Sequence, residues 1–159
     1  MSKSVYRETE CPFCVKEFSE AAFLADDDFL AVYNIAPILP GHSLIVPRKH
    51  VRGLSDLNDD ETARLFVFAK KTTNLLMAAF HGEGFDWSLQ EKEAAGQTVP
   101  HLHLHIVIRK TGDLKDIGEW YPRVDHADNH LLDSFSRPKL CSADYRQITA
   151  YLRKTASLF

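Results

Sequence analysis

His101, His103 and His105 occupy alternate positions in the run Gln97-Thr98-Val99-Pro100-His101-Leu102-His103-Leu104-His105-Ile106-Val107-Ile108-Arg109. In a β-strand, alternate side chains share a face about 6.7 Å apart, so the three imidazoles would line one side. Leu102, Leu104 and Ile106 would point to the other side and pack on the core. Like charges in a row disfavour ionisation, so at least one ring should be neutral near pH 7, with a nitrogen lone pair available. Such a nitrogen can serve as a base, a metal ligand or a nucleophile. A row of satisfied histidines on a half-buried strand is the plainer alternative, better suited to a lone His than to three in strict alternation. A metal-ligand reading stays open on spacing alone, weakened because no acidic residue alternates with the histidines.

Cys11-Pro12-Phe13-Cys14 is a second constellation. One C-x-x-C supplies half of a tetrahedral zinc site, and a redox role would call for a βαβ pattern, which the sequence does not display. Cys141 stands alone, with no assigned task.

The remaining sequence must hold these residues in place. Residues 29–33 read as a strand ended by Asn34 and Pro37, Pro40-Gly41 as a turn, and residues 42–46 as a second strand closed by Pro47. So short a connection predicts an antiparallel pair. Asn58 followed by Glu61 has the capping-box pattern and opens a helix to about Phe80. Its apolar face would carry Leu65, Phe66, Ala69, Leu76 and Ala79, with Arg64, Lys70 and Lys71 in water. His81-Gly82-Glu83-Gly84 ends the helix; a strand over 85–90 follows, then a loop with Ala95-Gly96, then the longest strand, 99–109. Gly112-Asp113 turns the chain, residues 120–138 read as irregular, and Ser142 caps a last helix to Lys154 with Tyr145, Ile148, Tyr151 and Leu152 on one face. Strands in consecutive pairs with an inserted helix predict an α+β fold with an antiparallel sheet.

In these residues the sequence resembles the histidine triad (HIT) superfamily, whose motif is His-φ-His-φ-His-φ-φ with φ apolar; residues 101–107 match it at every position. Further matches are Asn34-Ile35-Ala36-Pro37, the stretch from Pro40 to Pro47, Ser88-Leu89-Gln90, Ala95-Gly96-Gln97-Thr98-Val99 and Arg109-Lys110-Thr111-Gly112-Asp113. The block from Ala95 to Asp113 is similar to the Fhit branch and to related bacterial dinucleoside polyphosphate hydrolases. The resemblance implies a HIT domain over 9–113, with a long helix packed on the sheet. Residues 114–159 then form a C-terminal extension with a final helix.

What the resemblance implies is cleavage at the α-phosphate of a dinucleoside polyphosphate, such as diadenosine tri- or tetraphosphate, through a nucleotidyl-histidine. His103 falls at the nucleophile's position. Imidazole chemistry agrees, because a neutral ring can attack phosphorus without first losing a proton, and the resulting phosphoramidate is labile to water. His105 would donate to phosphate oxygens, and His101 would fix its neighbours. Gln97 and Gln90 could hydrogen-bond phosphate or leaving-group oxygens, and Asn34, His42 and Ser88 would contact substrate. Some HIT proteins complete a cysteine pair with two histidines; His50 and His101 are the matching candidates for a structural zinc with Cys11 and Cys14. No metal is required to activate the nucleophile, although magnesium could accompany the polyphosphate. Alternatives are a Hint-like nucleoside phosphoramidate or acyl-nucleotide hydrolase, or a nucleotide-binding signalling module with slow turnover. A homodimer is expected, as is common among HIT proteins.

Composition narrows the field. The chain has 159 residues, 45% hydrophobic and 26% charged, which suits one globular domain. A net charge of -3 offers no basic footprint for nucleic acid. Arg48, Lys49 and Arg52 could steer anions or form a solvated edge. No window is apolar enough to cross a bilayer, the charged first residues do not resemble a secretory signal, and three cysteines cannot all pair. A cytoplasmic protein is the expectation.

Overall fold

The computed structural model describes residues 11–114 and 137–159. Its elements, in chain order, are α1 (Lys16–Glu20), β1 (Ala22–Ala25), β2 (Phe29–Tyr33), β3 (Ser43–Pro47), α2 (Asp59–Phe80), β4 (Gly84–Leu89), β5 (Leu104–Arg109) and α3 (Ser142–Ala156). The strands form one antiparallel sheet in the order β1-β2-β3-β5-β4. The expected α+β class and the β2–β3 pairing are both present.

Asn58 and Glu61 start α2 by capping each other: Glu61 N–H donates to Asn58 Oδ1 at 2.8 Å and Asn58 N–H to Glu61 Oε2 at 2.9 Å. The buried side of α2, including Leu65, Phe68, Ala69, Leu75 and Leu76, packs in one core with Ile45, Leu104, Ile106 and Ile108 of the sheet. Phe66, expected on that side, is 40% exposed and rests against Trp87 instead. His81 ends the helix in the left-handed conformation, and Gly82 N–H reaches back to the Met77 carbonyl at 2.8 Å.

Three boundaries differ from expectation. The histidine run is only half strand, since β5 begins at Leu104. Upstream backbone groups have other partners: Leu102 N–H donates to the Val51 carbonyl at 2.7 Å, and His101 N–H to Val99 at 2.8 Å. Pro100, and Pro47 across from the run, have no N–H with which to extend a ladder. The last helix is capped by Cys141 rather than Ser142, its Sγ accepting from Asp144 N–H at 3.4 Å, so that thiol does have a task. Short elements α1 and β1 were not anticipated; most of the stretch read as irregular, 120–138, lies outside the described residues.

Register then decides which side chains meet. Ser88, His105, Leu44 and Val32 are successive cross-strand partners, so they share the sheet face opposite α2. Gly41, at φ +94°, makes the tight turn that delivers His42 to that face; a Cβ there would stand 2.8 Å from Ile108 Cγ1. No helix among the described residues is long and apolar enough to cross a membrane.

Candidate active site

Four imidazoles and one amide gather on this face, and His42, His101, His103, His105 and Asn34 are all buried. Their hydrogen bonds fix which nitrogens carry protons. His103 Nδ1 lies 2.8 Å from the His101 carbonyl. A carbonyl only accepts, so Nδ1 holds the proton and a neutral His103 carries its lone pair on Nε2. By the same logic His101 Nε2–H donates to the Pro47 carbonyl at 2.9 Å, leaving the His101 lone pair on Nδ1.

A second chain of donors reaches His105. Ile38 N–H donates to His42 Nδ1 at 3.1 Å, so His42 must carry its proton on Nε2. That Nε2–H donates to His105 Nδ1 at 3.0 Å, which places the His105 proton on its own Nε2. His105 Nε2 is buried and has no hydrogen-bond partner among the described residues. A buried, unsatisfied N–H is costly, so the fold retains a donor suited to an acceptor that comes from outside. Asn34 Nδ2 stands 3.4 Å from His42 Nε2, a contact between two N–H groups, while Asn34 Oδ1 accepts from Ala36 N–H at 2.9 Å.

Burial keeps the rings neutral. It pushes His42 down to about 3, with the nearby Arg137 charge acting in the same direction. His105 is held well below the ordinary histidine range by burial first, then by His103, His42 and Arg137. His103 is lowered by burial, partly offset by its bond to His101. Like-charge repulsion, the cause anticipated from spacing, is secondary to desolvation.

His103 and His105 open onto a cavity of about 330 Å³ whose lining is mostly apolar, including Phe13, Phe18, Ile35, Leu44 and Val99. Phe13 also sets its ring edge-on to His103, with centroids 5.3 Å apart. Asn34 lines the cavity, whereas His42 supports His105 from behind.

Other expected residues stand further out. Ser88 is the cross-strand partner of His105, yet neither it nor Gln90 lines the cavity. Gln97 is committed to its loop, donating from Nε2 to the Arg52 carbonyl and accepting Lys92 N–H, each at 2.8 Å. Site residues without a signal in the sequence include Phe13, hidden inside the cysteine motif, and Lys139 and Tyr145 from beyond residue 114.

Cys11, Cys14, His50 and His101 converge so that one ligand atom from each lies within 4.8 Å of the others. The Nδ1 atoms of His50 and His101 approach Cys14 Sγ at 3.2 and 3.4 Å, and His101 Nδ1 is also 3.4 Å from Cys11 Sγ. The N–S edge of a tetrahedral zinc site is about 3.5 Å, so two thiols and two imidazole nitrogens fit that ion.

Comparisons with known proteins agree with this geometry. A family model described as HIT domain matches residues 15–112. A bis(5'-adenosyl)-triphosphatase of Dictyostelium discoideum is 32% identical over 114 residues, covering 72% of this chain and 75% of that protein. An Arabidopsis thaliana bifunctional bis(5'-adenosyl)-triphosphatase/adenylylsulfatase is 38% identical over 101 residues; the match covers 64% of this chain but only 56% of the relative. Among solved structures, a zinc-bound histidine triad family protein from Mycobacterium smegmatis superposes with a TM-score of 0.67 at 25% identity, over 95% of this chain and 99% of that one.

Neutral burial of His42 has a consequence for stability. The unfolded ring titrates near 6.5, whereas the folded one is held at about 3. Unfolded chains therefore bind more protons through that window, and stability should fall as pH drops from about 6.5 toward 3, by up to about 1.4 kcal/mol per pH unit for each such ring. Urea unfolding at a series of pH values measures this. A profile flat between pH 6.5 and 4 would contradict the assignment.

Proposed function

This chain belongs to the HIT domain family, and on that premise we propose that it is a nucleotide hydrolase cleaving dinucleoside polyphosphates at the α-phosphorus through a nucleotidyl-histidine on His103. The observation that carries the reading is the bond from His103 Nδ1–H to the His101 carbonyl, which leaves Nε2 as the nucleophilic atom. In the first step Nε2 bonds to phosphorus as the P–O bond to the leaving nucleotide breaks. Water then attacks phosphorus, forming a new P–O bond as the P–N bond breaks and its electron pair returns to Nε2, which releases a nucleoside monophosphate and restores the ring. His105 Nε2–H donates to a phosphate oxygen as negative charge gathers there. His42 holds His105 in the required tautomer, and His101 does the same for His103. The apolar cavity beside them accommodates a nucleobase, with Asn34 at the sugar or phosphate. Magnesium enters as the counter-ion of the polyphosphate.

We further propose a structural zinc on Cys11, Cys14, His50 and His101. Bound there, the ion would cross-link the N-terminal loop to the histidine run and hold the His101 carbonyl in place. Thiols kept reduced suit a cytoplasmic setting. The second copy of a homodimer would meet the edge strand β4 and the adjoining surface of α2, where Phe66, Val67 and Phe85 are 40%, 70% and 48% exposed.

His103→Ala should abolish turnover of diadenosine triphosphate while leaving nucleotide affinity measurable; near-normal kcat in that variant would defeat the mechanism. His105→Ala should lower kcat by about 10²–10³-fold, the scale of losing one preorganised donor. Elemental analysis of protein purified without chelator should find about one zinc per chain. Stripping the metal should lower Tm, whereas a metal-free preparation with unchanged Tm would refute the zinc assignment. Light scattering should report a dimer that Phe85→Glu converts to monomer; a monomeric wild type would end that proposal.

A further inference from the structure

Phe13 stands between the two cysteines in sequence, yet its side chain belongs to the cavity. Its ring meets His103 in a T-shaped contact with centroids 5.3 Å apart, and His101 in the same manner at 5.8 Å. Phe18 of α1 packs on it at 4.8 Å. Pro12, Val15 and Phe18 line the cavity beside it, so residues 12–18 make up one wall.

Side chains, not a backbone ladder, hold this wall against the sheet. Among the described residues, the backbone hydrogen bonds of 12–18 run within residues 11–21; Cys14 N–H donates to the Cys11 carbonyl at 3.0 Å and Phe18 N–H to the Val15 carbonyl at 3.2 Å. Such a segment opens locally at low free energy unless other contacts tie it down. The thiols reach across: Cys14 Sγ lies 3.2 Å from His50 Nδ1 and 3.4 Å from His101 Nδ1, and Cys11 Sγ lies 3.4 Å from that same His101 nitrogen. His101 is shared between the two regions, since its Nδ1 faces the thiols, its ring contacts Phe13 and its carbonyl accepts from His103. Phe13 is one residue from Cys14, so adjacent Cα atoms about 3.8 Å apart leave it no freedom to stay in place when the loop moves. Ordering the thiols and ordering the cavity wall are therefore one event.

We propose that Phe13 is a positioning residue through which metal binding at the cysteine pair and nucleotide binding in the cavity reinforce each other. The inference rests on the nucleotide-hydrolase and zinc readings above and goes beyond them, because it makes the affinity for one ligand depend on the presence of the other. With the thiols and imidazoles gathered on a metal, Phe13 is held against His103 and the wall is preformed for the nucleotide. A nucleotide on that wall in turn holds the loop in the conformation that presents both thiols. Linkage makes the two effects equal.

The test measures zinc affinity of the full-length protein by competition with a chromogenic chelator, with and without saturating AMP. In the wild type, AMP should tighten zinc about 5- to 10-fold, the scale of an aromatic contact and the lower end of site-to-site coupling. In Phe13→Ala that factor should fall to about one. Phe13→Leu, which keeps an apolar side chain and disturbs the fold less, should retain at most part of it. A wild type that binds both ligands with no change in zinc affinity overturns the proposal. A factor that persists undiminished in Phe13→Ala or Phe13→Leu overturns it as well, because coupling then passes through overall folding and not through this ring. Calorimetry with AMP alone and zinc alone separates the underlying readings. Zinc uptake without AMP binding defeats the nucleotide reading, AMP binding without zinc uptake defeats the zinc reading, and either result takes this inference with it.

Discussion

One hydrogen bond sets the chemistry of this molecule: His103 Nδ1–H to the carbonyl of His101, at 2.8 Å. It allows a single tautomer, and the lone pair of a neutral ring then has only Nε2 to occupy. The donor is a side chain and the acceptor is backbone two residues earlier, so the chain path through Leu102 must be held rigid. Leu102 is buried in the core and its N–H is tied to Val51. His101 is fixed by Pro47 on one ring nitrogen, and its other nitrogen faces the cysteine pair. The geometry of the His103 ring is therefore set by the ring that precedes it, and that ring by the loop carrying Cys11 and Cys14.

A parallel constraint governs the donor. From Ile38 N–H through His42 to His105, each ring accepts on Nδ1 and carries its proton on Nε2; His42 donates that proton to His105, whose own Nε2–H has no partner among the described residues. The two series end with opposite polarity on neighbouring rings whose centroids are 5.0 Å apart, a lone pair on His103 and an N–H on His105. Burying such groups costs free energy that only the surrounding core can offset. That core comes from the alternate residues of the same run, Leu102, Leu104 and Ile106, packed with α2. Alternation thus puts the core on one face and the imidazoles on the other.

Much of this was legible in the sequence because it is local. The Asn58–Glu61 box marks its helix, the Pro40-Gly41 turn sets β3 after β2, and strict His-apolar alternation separates the two faces. The cysteine pair and its two histidine partners also converge as the family resemblance implied. What stayed hidden depends on tertiary contact. Gln97 stands at the entrance to the motif, and its amide bonds Lys92 N–H and the Arg52 carbonyl, partners that spacing cannot reveal. The run reads as one long strand because alternation does not show where ladder partners end; Pro47 and Pro100 hold the available clue. Lys139 and Tyr145 are invisible to any motif, since they come to the cavity from beyond residue 114.

The central claim is most directly tested by ¹⁵N NMR of the imidazoles at neutral pH, with His103 assigned through its alanine variant. The account predicts a neutral His103 ring protonated at Nδ1, with an Nε2 shift typical of an unprotonated nitrogen. A proton on Nε2, whether in the other tautomer or in an imidazolium, would contradict it.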